Sequence, residues 1–174
     1  MNDVWIVKDV NVILKKCMAS PLAMAVFGLG AFCVVGLAVW IQVHYDLEPC
    51  PLCIVQRLLC LALGVLLLCS AVLRRTPLWL FVLQLAVALS GMAVAGRHWW
   101  LQAYPEARAS DCGVGLDYMI EHFRPSKIFI LLLRGSGDCS VVNWHWLGLS
   151  LPQLSLLFFA TLACYVCWWW KHHA

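Results

Sequence analysis

Cys50-Pro51-Leu52-Cys53 sets two thiols three residues apart, the spacing of a dithiol that can close into a disulfide and reopen. The chain is punctuated there for a helix start. Cys50 lies between Pro49 and Pro51. Proline suits the first helical position, where its missing N–H would have had no partner. Cys50 then reads as an N-cap and Cys53 as a first-turn residue. The unpaired N–H groups and the positive end of the helix dipole favour the thiolate, which is the nucleophile in disulfide exchange. Arg57 follows Cys53 by four residues and Cys50 by seven, so helical spacing puts all three on one face. Two readings of Arg57 compete. It could be an anchor reaching toward the membrane interface, or a fixed cation that holds an electron-rich acceptor beside the thiols. His98, in Arg97-His98-Trp99-Trp100, is expected at a similar depth. By itself it reads first as an interfacial anchor, with a hydrogen-bond donor to a carbonyl as the alternative. Gln56 carries only a weak signal.

The elements that must position these residues are unusually apolar. Of 174 residues, 63% are hydrophobic and 12% charged, about half the charged share of a soluble domain. The net charge of +3 has no basic run behind it, which argues against nucleic acid as a partner. Four apolar segments, about 21–43, 51–73, 77–96 and 147–170, each approach the ~20 residues needed to cross a bilayer as a helix. The expected fold is an all-α integral membrane protein. It is a single membrane domain over 1–174, a four-helix transmembrane bundle with two outer loops, about 44–50 and 97–146. The first segment is too long for a signal-peptide core and has no convincing cleavage site, so it reads as a permanent anchor.

Charge sets the expected orientation. The N-terminus, the Arg74-Arg75-Thr76 turn and the C-terminus hold six basic and two acidic residues; the opposite side holds six and seven. The positive-inside rule puts both termini in the cytoplasm and the two loops outside, which in a bacterium is the periplasm. Tryptophans 40, 79, 99, 100, 144, 146 and 168–170 fall near helix ends, as an aromatic belt would. Within the second loop, Leu116–Phe123 has a helical pattern. Ile128–Leu133 is too short to span and reads either as an interfacial piece or as a packed loop helix.

This topology sorts the ten cysteines. Cys33, Cys60 and Cys69 fall inside spans, where a thiol behaves as a small hydrophobe. Cys17 lies near the cytoplasmic edge. Cys164 and Cys167 form a second C-x-x-C, on the reducing side, where a stable disulfide is not expected. A metal site there with His172 or His173 would need further ligands. Four cysteines remain outside: Cys50, Cys53, Cys112 and Cys139. Four cysteines allow three pairings. The short spacing favours Cys50–Cys53 and leaves Cys112–Cys139 to close the long loop. Two readings from other classes remain: a four-thiolate metal site at Cys50, Cys53, Cys112 and Cys139, and a purely structural four-helix protein.

Pro49-Cys50-Pro51-Leu52-Cys53-Ile54-Val55-Gln56-Arg57, Leu101-Gln102-Ala103-Tyr104-Pro105, Gly137-Asp138-Cys139 and Leu149-Ser150-Leu151-Pro152 together resemble the disulfide bond formation protein B (DsbB) family over nearly the whole chain. The resemblance implies an enzyme of the bacterial inner membrane. It would reoxidise a periplasmic thioredoxin-fold dithiol oxidase (DsbA-like) and pass the electrons to a membrane quinone, ubiquinone or menaquinone. Carried over by position, Cys50 and Cys53 are the pair that reduces the quinone, and Arg57 holds it. Cys112 and Cys139 meet the partner, with Cys112 forming the mixed disulfide. His98 matches a quinone-proximal histidine of part of the family. No resident metal is implied. Where some relatives carry a glutamate before the arginine, this chain has Gln56, so no acidic role carries over. A vitamin-K-reductase-like oxidoreductase would share the chemistry but usually places its C-x-x-C late in the bundle. Redox potentials agree with a quinone: a DsbA-type oxidase lies near about −120 mV, and glutathione pools at roughly −200 mV cannot reoxidise it.

Overall fold

The computed structural model describes residues 17–46, 50–104 and 148–173, with the backbone of His145 and Trp146. The loop segments Leu116–Phe123 and Ile128–Leu133 lie outside the described residues, as do Cys112 and Cys139. Among the described residues four helices are long and apolar enough to cross a membrane. They are α1 (Pro21–His44), α2 (Pro51–Leu73), α3 (Leu78–Ala103) and α4 (Leu151–His173). Large apolar side chains such as Leu22, Val26, Val43, Val72 and Leu78 point outward and stay exposed, as a surface solvated by lipid requires.

Local chemistry sets the helix ends. Ser20 caps α1, its side chain accepting from Ala23 N at 3.3 Å, and Pro21 opens the helix. Cys50 caps α2 in the same way, followed by Pro51. Arg74 ends α2 in the left-handed region, at φ 54°, and Pro77 precedes α3. Helix α3 runs through Arg97 to Ala103, seven residues beyond the apolar segment that marks it in the sequence. Hydropathy falls at the charge, but nothing in Arg97-His98-Trp99-Trp100 breaks a helix. Helix α4 begins at Leu151 rather than Leu147 because Leu149–Ser150 (β2) pairs antiparallel with His145–Trp146 (β1). Gly148, at φ 80°, makes the turn between them. Gln153 then accepts from Ser150 N at 2.8 Å.

The helices pack in sequence, α1 on α2, α2 on α3 and α3 on α4. Apolar burial does not distinguish a helix neighbour from lipid, so close backbone approach and polar links hold the bundle. Gly28 and Gly64 face each other across α1 and α2, where a Cβ on either would lie 3.1 Å from the other's carbonyl oxygen. Gln84 of α3 donates to Leu66 O (3.0 Å) and Ser70 Oγ (2.8 Å) of α2.

Helices α1 and α4 close the ring at one end. Phe27 and Tyr165 pack with tilted rings, centroids 4.3 Å apart, Tyr165 OH donates to Met18 O at 3.2 Å, and Met24 and Trp169 are buried beside them. Toward the other end, where α2 begins and α3 finishes, a cavity of about 580 Å³ opens between α1 and α4.

Candidate functional site

The cavity and the thiol pair form one site. Cys50 is in extended backbone (φ −66°, ψ 156°), and its Sγ accepts from Cys53 N at 3.3 Å, so the helix cap is itself one of the two thiols. The two Sγ atoms lie 2.9 Å apart. Cys50 is buried and Cys53 half-buried. A disulfide between them needs only small side-chain rotations.

His98 reaches the pair from the last turns of α3. It is buried, with Nε2 3.7 Å from Cys50 Sγ and Nδ1 4.0 Å from Cys53 Sγ. The Gln56 amide nitrogen, also buried, sits 3.2 Å from His98 Nδ1. With that amide donating, the ring proton belongs on Nε2, facing Cys50. Arg57 reaches across to α1, where its guanidinium donates to Gln42 Oε1 and, at 3.3 Å, to Ala38 O. A cation at this depth requires such partners. They also fix the plane of the guanidinium.

Cys53, Gln56, Arg57, Cys60 and His98 line one side of the cavity. Apart from Ser155 the remaining wall is apolar, with Val34, Leu37 and Ile41 of α1 and Leu154, Phe158 and Phe159 of α4. A pocket with apolar walls and a few grouped donors suits a flat apolar ring bearing hydrogen-bond-accepting oxygens. Its donors fit a quinone, and the dithiol beside them can supply two electrons.

Of the site residues expected from sequence, Cys50, Cys53, Arg57 and His98 are brought together here. Cys112 and Cys139 lie outside the described residues, and with them half of any four-thiolate metal site. Gln42 went unnoticed; its only sequence signal is a polar residue near the end of an apolar span. Gln56 proves to be the direct partner of His98.

Residues 20–169 match the family model described as Disulfide bond formation protein DsbB. Three similar proteins, each named Disulfide bond formation protein B, show how far the likeness extends. The one from Methylobacillus flagellatus is 41% identical over 140 residues, covering 79% of this chain and 84% of that protein. The one from Methylococcus capsulatus is 38% identical over 161 residues, covering 88% and 98%. The one from Azoarcus is 39% identical over 153 residues, covering 85% and 90%. With four helices able to span a membrane and a dithiol at the head of the second, the chain belongs to the DsbB family of multi-pass membrane oxidoreductases of disulfide bond formation.

Proposed function

We propose that the protein reoxidises a periplasmic thioredoxin-fold dithiol oxidase and delivers the electrons to a membrane quinone at the cavity between α1 and α4. One observation carries this reading: the Cys50–Cys53 dithiol stands beside an apolar cavity whose other polar lining includes Arg57 and His98. The protein lies in the bacterial inner membrane with both termini in the cytoplasm, by the excess of basic residues at the termini and the Arg74-Arg75 turn. The thiol end of the bundle then faces the periplasm.

Exchange begins outside. A thiolate of the partner attacks the Cys112 sulfur of a Cys112–Cys139 disulfide, and Cys139 leaves as thiolate. The partner's second thiolate then displaces Cys112, so the partner departs oxidised. Attack of the reduced pair on a Cys50–Cys53 disulfide moves the two electrons to the membrane boundary. Bound quinone, either ubiquinone or menaquinone, supplies the two-electron, two-proton sink.

The chain's own residues set the conditions for that transfer. The Cys53 N–H holds Cys50 Sγ at the helix head, where the dipole favours negative charge. His98 keeps a proton at Nε2, 3.7 Å from the same sulfur. Arg57, fixed by Gln42 and Ala38 O, holds the acceptor's oxygen and stabilises charge arriving there. The apolar walls exclude water, which strengthens both electrostatic effects.

Quinone reduction by the reduced partner tests the assignment. Arg57→Ala should raise the quinone KM at least about tenfold, since a hydrogen bond from a charged group is worth ~1.5–3 kcal/mol. An unchanged KM would remove Arg57 from the quinone site.

A further inference from the structure

The same corner of the bundle has a second chemical capacity. The donor atoms of Cys50, Cys53 and His98 all lie within 4.8 Å of one another, and two of the three residues are buried. Two thiolates and an imidazole are three of the four ligands of a tetrahedral zinc site with one open position. The electron relay uses these side chains with a proton on His98 Nε2; a metal would use the same atoms with that nitrogen unprotonated. We propose that the reduced protein binds one thiophilic metal ion of the Zn²⁺ class through Cys50, Cys53 and His98, and that this ion holds the dithiol in its reduced state.

The distances support it. Around one tetrahedral ion, a thiolate sulfur and an imidazole nitrogen stand about 3.6 Å apart, and two thiolate sulfurs about 3.8 Å apart, from the usual bond lengths. Cys50 Sγ and His98 Nε2 are already at 3.7 Å. The sulfurs, at 2.9 Å, must separate by about 1 Å, within reach of a rotation of Cys53, which is only half-buried. Cys53 and His98 both line the cavity, so the open fourth position falls on that side.

The surroundings of His98 also suit a ligand. A metal-bound histidine needs its other ring nitrogen to donate to an acceptor. Gln56 is in place at 3.2 Å from Nδ1. Rotating its amide by half a turn presents Oε1 instead of the nitrogen, which fixes Nδ1–H and frees Nε2 for the ion. A glutamate at this position would make the same contact with a full charge; glutamine makes it without one.

Binding is tied to redox state by simple chemistry. One M²⁺ displaces the two thiol protons and forms two metal–sulfur bonds and one metal–nitrogen bond. No electrons move. A disulfide offers no thiolate, so the oxidised protein has no such site. While the ion is bound, neither sulfur is available to close the disulfide. The metal therefore competes with reoxidation and leaves oxidised protein untouched.

The experiment uses purified full-length protein in detergent without quinone, with Cys112, Cys139, Cys164 and Cys167 replaced by serine. The phosphine-reduced and oxidised forms are titrated anaerobically with Co²⁺, then with Zn²⁺. The reduced form should take up one ion per chain, show thiolate-to-cobalt charge-transfer absorption and release up to two protons. Zinc should displace the cobalt, and the oxidised form should show no such absorption. His98→Ala should alter the cobalt spectrum and weaken binding at least about tenfold, and Gln56→Ala should weaken it by a similar order. Equal uptake by both redox forms, or a reduced form that takes up no metal at micromolar concentration, would overturn the proposal without needing any change at the site. So would a His98→Ala protein with unchanged spectrum and affinity. The proposal shares its dithiol with the quinone reading but needs no quinone, so either can fail while the other stands.

Discussion

The chain carries C-x-x-C twice, and the two copies meet opposite surroundings. Cys50 caps the N-terminus of α2, where a backbone N–H points at its sulfur. It is buried beside His98, and Cys53 lines a cavity. Cys164 and Cys167 sit in the second half of α4, toward the end of the helix dipole that opposes negative charge. Both are exposed on the surface of the bundle, while Tyr165, Val166 and Trp169 of the same helix are buried. The three-residue spacing only puts two sulfurs on neighbouring turns. What differs between the pairs is which end of a helix they occupy and what faces them.

Serine substitution should separate the pairs most sharply. Cys53→Ser is expected to lower quinone-coupled oxidation of the partner by more than about a thousandfold, as loss of a reacting nucleophile does. Replacing both Cys164 and Cys167 with serine should leave the rate within about twofold, in line with exposed substitutions away from a site. Comparable losses in both would mean that helix position does not distinguish them.

The next effect concerns Arg57, the cation beside the first pair that is tied to α1. Arg57→Lys keeps the charge but loses the planar fork that engages Gln42 and Ala38 O together. Its quinone KM should fall between those of wild type and Arg57→Ala. A KM equal to wild type would mean that charge alone suffices.

A smaller effect should come from packing. A Cβ at Gly91 would lie 2.5 Å from the Phe159 ring, which also lines the cavity, whereas a Cβ at Gly96 meets nothing within 4 Å. Gly91→Ala should therefore cost ~1–3 kcal/mol, seen as a lower Tm in detergent, with some loss of quinone affinity. Gly96→Ala should be neutral or slightly stabilising. Equal Tm values would mean that the Phe159 ring moves aside freely.

The four spans were legible in the sequence because lipid demands long uncharged runs, and such runs appear directly in composition. Their ends were less so. Hydropathy stops α3 at Arg97, although the helix continues to Ala103 and so carries His98 into the site on ordered backbone. Cys50, Cys53 and Arg57 span eight residues, so helix geometry alone relates them. The contacts of His98 with Cys50 and Gln56, and of Arg57 with Gln42, join separate helices. They depend on how far one helix slides along another, which no local pattern encodes. Resemblance brought His98 forward; its pairing with Gln56 required coordinates.

The central claim is that the Cys50–Cys53 dithiol passes its electrons to a quinone, and a single turnover tests it most directly. Protein with Cys112, Cys139, Cys164 and Cys167 replaced by serine is reduced, freed of reductant and mixed anaerobically with one equivalent of quinone. Loss of quinone absorbance is followed, and the cysteines are then mapped by mass spectrometry. The account predicts one quinol formed per chain and a new Cys50–Cys53 disulfide. A reduced dithiol that persists beside unreacted quinone would contradict it.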